Sequence, residues 1–229
     1  MSCPSAQPGI ERLSLKFIPG HSCPNSAVEF MEDLQFVLAS ASPARRKLLT
    51  DACLSVYGCP SNFDEDQVQL TDPATLVKTL AQSKAEIVAA QFNKALVLGC
   101  DSVLAFDGQI YGKPESPAEA INRLQTMSGH IGELYTGHAL IDTARQNSIV
   151  RCRVTRVHFA AVKYHQIEDY VATGEPMRCA GAFARDGKGS YFVEEIEGCY
   201  TNVIGLSMPL LRELIAELGY DITDFWSVG

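Results

Sequence analysis

The run Phe36-Val-Leu-Ala-Ser-Ala-Ser-Pro-Ala-Arg-Arg-Lys-Leu-Leu49 decides how the rest of the chain is read. Phe36 to Ala39 is a short apolar stretch, the pattern of a buried strand. Ser42 then fits the N-cap of a helix, with Pro43 at the first helical position, where the missing N–H would have had no partner anyway. Leu48 and Leu49 carry the helical pattern onward. Such a helix start presents unpaired backbone N–H groups, and here two hydroxyls and two guanidinium groups stand beside them, an arrangement suited to an anion. Arg45 and Arg46 oppose the helix dipole, which favours cations at the other end. A local preference broken in this way points to function. Ser40, Ser42, Arg45 and Arg46 are therefore the candidate phosphate-binding residues. The plainer reading is a strand–turn–helix with solvated arginines.

The chain has 229 residues, 46% hydrophobic and 20% charged, the proportions of a water-soluble globular protein with room for a sizeable core. Its formal net charge of -8 argues against a general nucleic-acid or membrane-surface binder, although a local phosphate site needs only a few cations. No apolar run approaches the roughly 20 residues of a membrane span. The eight cysteines form no C-x-x-C pair and no zinc-like cluster with histidine. They read as free, mostly buried thiols of a reducing, cytoplasmic setting. Residues 1–30 contain Pro, Ser, Cys and Gly without a clear period and read as a loose extension, with residues 31–229 as the working domain.

The remaining elements alternate between strand and helix patterns. Ser55-Val56-Tyr57 is a short strand candidate. Asp64-Glu65-Asp66 is a carboxylate run in a polar loop, either a solvated surface or a metal-holding step. Asp72-Pro73 opens a helix whose apolar stripe is Leu76, Leu80, Ile87 and Val88, with Lys84 beside it, placed to reach a phosphate or to snorkel to water. Ala95 to Asp101 is a continuous apolar strand, covered on both faces, ending in Asp101 at the edge where α/β sheets bind ligands. Asp107-Gly108 is a hairpin signal. Lys113 sits on a turn constrained by Gly112 and Pro114. Ser116-Pro-Ala-Glu119 is a capping box with Gly129 closing the helix. Leu134–Ile141 and Ile149–Val162 read as long strands, with a bulge near Arg156 where the apolar set changes parity. A helix over 165–173, a strand over 191–196 and an apolar helix over 209–218 complete the pattern. Neither a dinucleotide-binding fingerprint nor a P-loop is present.

Taken together these stretches resemble the Maf family of nucleotide pyrophosphatases. The resemblance runs from about Phe36 to Leu218. It rests on Leu38-Ala-Ser-Ala-Ser-Pro with its arginine pair, Phe63-Asp-Glu65, Leu80-Ala-x-x-Lys84-Ala, Gly99-Cys-Asp101, Gly112-Lys-Pro114, Ser128-Gly129 with Tyr135-Thr-Gly137, Gly174-Glu-Pro176, Ala180-Gly-Ala-Phe183 and Gly198 to Leu206. Each is weak alone; the order and spacing are specific. The resemblance implies an α/β fold of the Maf/ITPase-like kind: an elongated, twisted mixed β-sheet flanked by helices, with two lobes around a cleft. It implies hydrolysis of a nucleoside triphosphate to the monophosphate and pyrophosphate with Mg²⁺ or Mn²⁺, and a homodimer. In these terms Asp101 is the proton acceptor, and Lys84 and Lys113 neutralise triphosphate charge. Asp64, Glu65 and Asp101 are the metal candidates, and the residues alone fit Asp101 equally as base or ligand.

Substrate choice rests on Ala44, Ser102 and Asp186. The dTTP/UTP-preferring branch carries arginine, threonine and glutamine at the corresponding places. The branch similar to bacterial 7-methyl-GTP pyrophosphatases shares the shifted arginine pair, Tyr135-Thr-Gly137, Cys179-Ala-Gly and an acidic residue at 186. A carboxylate favours the positive charge that N7-methylation places on guanine. However, Ala44 lacks the aromatic ring that would stack on a cationic base, and Ser102 is shorter than that branch's glutamine. The expected substrate is 7-methyl-GTP. The alternatives are a dTTP/UTP pyrophosphatase, or a nucleotide-binding regulator of cell division with little turnover.

Overall fold

The computed structural model describes residues 34–226. The extension expected over residues 1–30 lies outside these. β1 (Gln35–Leu38) leads into α1 (Pro43–Asp51), whose N-cap Ser42 accepts from the Arg45 amide, with Pro43 at the first helical position. There follow β2 (Tyr57–Gly58), a 3₁₀ turn at Glu65–Gln67, and α2 (Pro73–Ala89). Next are β3 (Ala95–Phe106), β4 (Gln109–Tyr111), α3 (Pro117–Met127), β5 (Ile131–Asp142) and β6 (Asn147–Phe159). α4 (Tyr164–Ala172), β7 (Val193–Glu197), α5 (Tyr200–Ile204) and α6 (Met208–Glu217) complete the chain. Seven strands form one mixed sheet in the order β2-β1-β3-β5-β6-β7, with β4 also on β3. This is the α/β sheet flanked by helices that the sequence implies.

The registers create a notch. β1 runs parallel to β3 over Ala95–Leu98, and β4 returns antiparallel to it over Leu104–Phe106. β5 occupies the other edge of β3 from Leu96 to Ala105. Gly99 to Val103 thus has a strand on one side only. The sequence places Asp101 at a strand end; the strand in fact continues five residues further, because β5 pairs with it throughout. Asp101 gains its open edge from the end of β1 rather than from the end of its own strand.

Alternation along β3 sends odd residues to one face and even residues to the other. On the odd face lies α2, seated unusually close. A Cβ on Gly99 would lie 2.9 Å from the Ala85 Cβ and closer still to the Ala81 carbonyl, and one on Gly137 would lie 2.8 Å from the Lys78 amide. The α2 face that packs is Val77, Leu80, Ala81, Lys84, Ala85 and Val88. The expected stripe is corrected in part: Leu80 and Val88 are buried, but Ile87 is 40% exposed and Leu76 only partly covered, while Ala81 and Ala85 meet Gly99 and the Val77–Lys78 backbone meets Gly137. On the even face, Leu104, Leu134, Val157 and Phe159 pack with Leu124 and Met127 of α3 and Ile167 and Tyr170 of α4.

β6 has an irregularity two residues past the bulge expected near Arg156, but that is not what changes its covered side. Its pairing with β5 is uninterrupted from Ile131↔His158 to Asp142↔Asn147, and the one irregularity lies against β7 at His158/Phe159. Val150 packs with the α2-side cluster, while Val157 and Phe159 belong to the cluster on the opposite face. Different ends of the strand are covered by helices on different faces. Ser116 caps α3 through the Glu119 amide at 3.2 Å, but the Glu119 carboxylate answers to the Glu115 amide at 2.7 Å, one residue before the expected capping-box partner. Among the described residues, Cys59, Cys100, Cys152, Cys179 and Cys199 are free thiols, and of these only Cys100 and Cys199 are buried. That corrects the expectation of mostly buried thiols. Among the described residues no helix is long and apolar enough to cross a membrane.

Candidate active site

The notch opens into a cleft of about 1150 Å³ whose walls come from both faces of the sheet. That volume is large enough for a nucleotide. On the α2 side, Asp101 is 6% exposed and Lys84 is 8% exposed. Lys84 Nζ donates to Asp101 Oδ1 at 2.5 Å and to Glu65 Oε1 at 2.7 Å. The lysine does not snorkel; it is held inside by two carboxylates. Burying a cation in this way is tolerable only because it is paired, and removing either carboxylate leaves much of that cost exposed. Burial pushes the Asp101 carboxyl above its ordinary range, against the pull of Lys84 and Arg45. Burial acts the same way on Glu65, but there the Lys84 hydrogen bond and charge, helped by Lys113 and Arg45, win, and its carboxyl is held low. Two carboxylates around one ammonium are thus driven in opposite directions, the pattern by which acid–base roles separate.

On the other face, Arg45 is fixed by three bonds. Nε donates to the Gly205 carbonyl at 2.7 Å, Nη1 to Ser40 Oγ at 3.2 Å, and Nη2 to Ser102 Oγ at 3.0 Å. A guanidinium has five N–H groups, so one remains on each terminal nitrogen, a fork suited to phosphate oxygens. Ser102 in turn meets Thr136 at 2.9 Å, and Thr136 donates to the Asn202 carbonyl at 3.2 Å. With the Thr136 proton committed, Ser102 donates to Thr136 and its lone pairs face Arg45. Gly205 takes φ +116, and a Cβ there would lie 3.1 Å from Arg45 Nε. Glycine at this position is what lets the carbonyl and guanidinium meet.

The candidates separate cleanly. Ser40, Ser42, Ala44, Arg45, Glu65, Lys84, Asp101, Ser102, Lys113 and Asp186 all line the cleft. Arg46 does not: its side chain is exposed and reaches toward Gly58 at the sheet edge. Asp64 is exposed and turned to local work, accepting from the Asp66 amide and Gln67 Nε2, each at 3.2 Å. Asp186 lies near enough for its charge to act on Lys47 of α1, one helical turn past Ala44. The sequence assigns no role to three further residues. Arg185 lines the wall with its guanidinium 5.2 Å from the centre of the Tyr200 ring. Gly205 holds Arg45 directly and Thr136 holds it through Ser102, both from distant segments. Their signals in the sequence are the motifs Tyr135-Thr-Gly137 and Gly198–Leu206 and the glycine-rich spelling around 181–189.

The donor set fits a divalent cation shared with a substrate. Among the described residues no cluster of three or more His, Cys, Asp or Glu side chains is arranged to hold a metal unaided. Glu65 and Asp101 supply two carboxylates at one point, and Mg²⁺ commonly takes one or two carboxylates and completes its shell with phosphates and water.

The chain is similar to known proteins over nearly all of its described length. Residues 35–218 match the family model described as Maf-like protein. The nucleoside triphosphate pyrophosphatase of Nostoc punctiforme is 62% identical over 191 residues, covering 83% of this chain and 97% of that protein. The protein of the same name from Trichormus variabilis is 58% identical over 196 residues, covering 86% and 100%. That from Gloeothece citriformis is 59% identical over 193 residues, covering 84% and 98%.

Proposed function

The chain belongs to the Maf family, and on that premise we propose that it is a nucleoside triphosphate pyrophosphatase, hydrolysing its substrate to the nucleoside monophosphate and pyrophosphate. The observation that carries the reading is the opposition of two sites across one notch: the Asp101–Lys84–Glu65 group on one face of β3, and the anchored Arg45 fork on the other. Arg45 and Lys113 take up triphosphate charge and orient the chain of phosphates. Water attacks the α-phosphorus, a new P–O bond forms, and the bridging bond to the β-phosphate breaks. Asp101 accepts the water proton, and its raised pKa makes it a stronger base than an ordinary carboxylate. Lys84 holds that carboxylate in place and meets charge that builds on the phosphates. Glu65, with substrate phosphates and water, would hold a divalent metal, Mg²⁺ or Mn²⁺, which when bound offsets phosphate charge and acidifies bound water.

The base preference proposed is 7-methylguanine. Asp186 on the cleft wall toward α1 supports it, since a carboxylate attracts the cationic base and accepts from the guanine N1–H and amino group. The test is pyrophosphate release from 7-methyl-GTP, GTP, dTTP, UTP, CTP and ITP, with Mg²⁺ or Mn²⁺ and again with EDTA. Metal-dependent release, fastest from 7-methyl-GTP, supports the proposal. A clean preference for dTTP and UTP transfers the chain to the other branch. Tight binding without turnover makes it a nucleotide-binding regulator. The homodimer is likewise proposed, and light scattering of the purified chain tests it.

A further inference from the structure

The segment Ala184–Gly189, whose residues Ala184 to Lys188 line the cleft, carries Arg185 and Asp186 but forms no strand and only a 3₁₀ turn at its end. Its shape is set by two side chains, the buried Tyr170 and Glu175, which also lines the cleft. Tyr170 of α4 accepts from the Ala184 amide at 3.0 Å and donates to Glu175 Oε1 at 2.9 Å. Glu175 Oε1 also accepts from the Gly189 amide at 2.9 Å, and Oε2 accepts from the Lys188 amide at 3.0 Å. The two ends of the segment are thus tied to one phenol–carboxylate pair. The fit is close: a Cβ on Gly187 would lie 2.5 Å from Glu175 Oε2, and one on Gly189 would collide with the Tyr170 hydroxyl. Tyr170 itself is fixed by stacking on Phe192, with ring centres 4.8 Å apart and planes at 26°. Neither Tyr170 nor Glu175 belongs to the group that handles phosphate.

We propose that Tyr170 and Glu175 are positioning residues for nucleobase selection, clamping Ala184–Gly189 so that its side chains meet the base in one fixed arrangement. The inference rests on the reading of this wall as the one that faces the base. A carboxylate that receives three hydrogen bonds, two of them from backbone amides, leaves the segment little freedom. Discrimination between bases depends on polar groups held where the right base satisfies them and the wrong one does not. Arg45, Lys84 and Asp101, at the phosphate end of the cleft, stand on α1, α2 and β3, and their hydrogen bonds run to neither Tyr170 nor Glu175.

The experiment measures kcat and KM over the six-nucleotide panel for wild type, Tyr170→Phe, Glu175→Gln and Asp186→Asn. Tyr170→Phe keeps the ring and its stacking and removes only the hydroxyl, so it retains the fold if Glu175→Gln does not. Losing hydrogen bonds to a charged group is expected to lower the kcat/KM advantage of the best nucleotide about 10-fold, through KM, with its kcat changed less than about 2-fold. Equal losses on every nucleotide would make the pair merely structural and overturn the proposal. If Asp186→Asn reorders the panel while both clamp variants keep the wild-type order and ratios, the proposal falls and the reading of Asp186 stands. If the clamp variants lose discrimination and Asp186→Asn keeps it, the clamp stands and another group on the segment reads the base.

Discussion

Replacing Gly99 by alanine tests whether the seat of α2 on the sheet sets the catalytic geometry. The new Cβ would lie 2.9 Å from the Ala85 Cβ and nearer to the Ala81 carbonyl. Carbon–carbon contacts are comfortable only from about 3.5 Å, so α2 must retreat by roughly 0.6 Å at Ala85 and further at Ala81. Both obstacles are helix backbone or its first side-chain atom, so no rotamer change relieves them. Overpacking of this kind costs roughly 1–3 kcal/mol. In a chain of this size each kcal/mol is worth about 2–4 °C in Tm. Lys84 rides on the same turn of α2, and its bonds of 2.5 Å to Asp101 and 2.7 Å to Glu65 stretch with it. A misplacement approaching 1 Å costs about 100-fold in turnover. Thermal unfolding and kcat are measured on the same preparation. A Tm lowered by several degrees together with a kcat reduced about 100-fold is expected. A lowered Tm with wild-type kcat would refute the claim that the glycine seat aligns Lys84, and an unchanged Tm would refute the close approach itself.

Four further outcomes follow from the same geometry. Arg45→Lys keeps the charge but cannot serve Gly205, Ser40, Ser102 and a phosphate together, so KM for the triphosphate should rise about 10-fold or more, read from initial rates. Glu65→Gln should lower kcat by about 100-fold, whereas Asp64→Asn, outside the cleft, should stay within about 2-fold. Because burial raises the Asp101 carboxyl, the acid limb of the kcat–pH profile should lie above about 4, the ordinary carboxylate value. A folded-state pKa raised above its unfolded value contributes stability below the unfolded pKa and loses it as pH rises through the folded one. Asp101→Asn, measured by denaturant unfolding from pH 4 to 8, should therefore gain on wild type as pH rises, while losing turnover.

The sequence made the local features plain and the distant ones invisible. Ser42-Pro43, Asp72-Pro73 and Ser116-Pro117 each mark a helix start because capping is decided within four residues, and each stands where it was expected. Asp107-Gly108 marks the β3–β4 turn for the same reason, with both residues at positive φ. By contrast, the length of β3 depends on its pairing with β5, some 40 residues away, so Asp101 could not be seen as a mid-strand residue. On α2, apolar size points to Leu80 and Val88, but that Ala81 and Ala85 are buried follows from Gly99 on a strand that meets them only in the fold. Arg45 and Arg46 are neighbours in sequence but about 100° apart around a helix, and only the fold decides which enters the cleft. The same holds for Asp64 and Glu65 around the 3₁₀ turn. α5, only five residues long, has too short a pattern to be read. The ligands of Arg45 at Gly205 and Ser102 lie 160 and 57 residues from it, beyond any local rule.

The most direct measurement is the identity of the products when wild type and Asp101→Asn act on a nucleoside triphosphate in ¹⁸O-labelled water with Mg²⁺. Equimolar nucleoside monophosphate and pyrophosphate are expected, with ¹⁸O in the monophosphate alone, and the reaction should be lost in Asp101→Asn. Orthophosphate and nucleoside diphosphate as products, ¹⁸O in pyrophosphate, or full activity in Asp101→Asn would contradict attack at the α-phosphorus by water that Asp101 deprotonates.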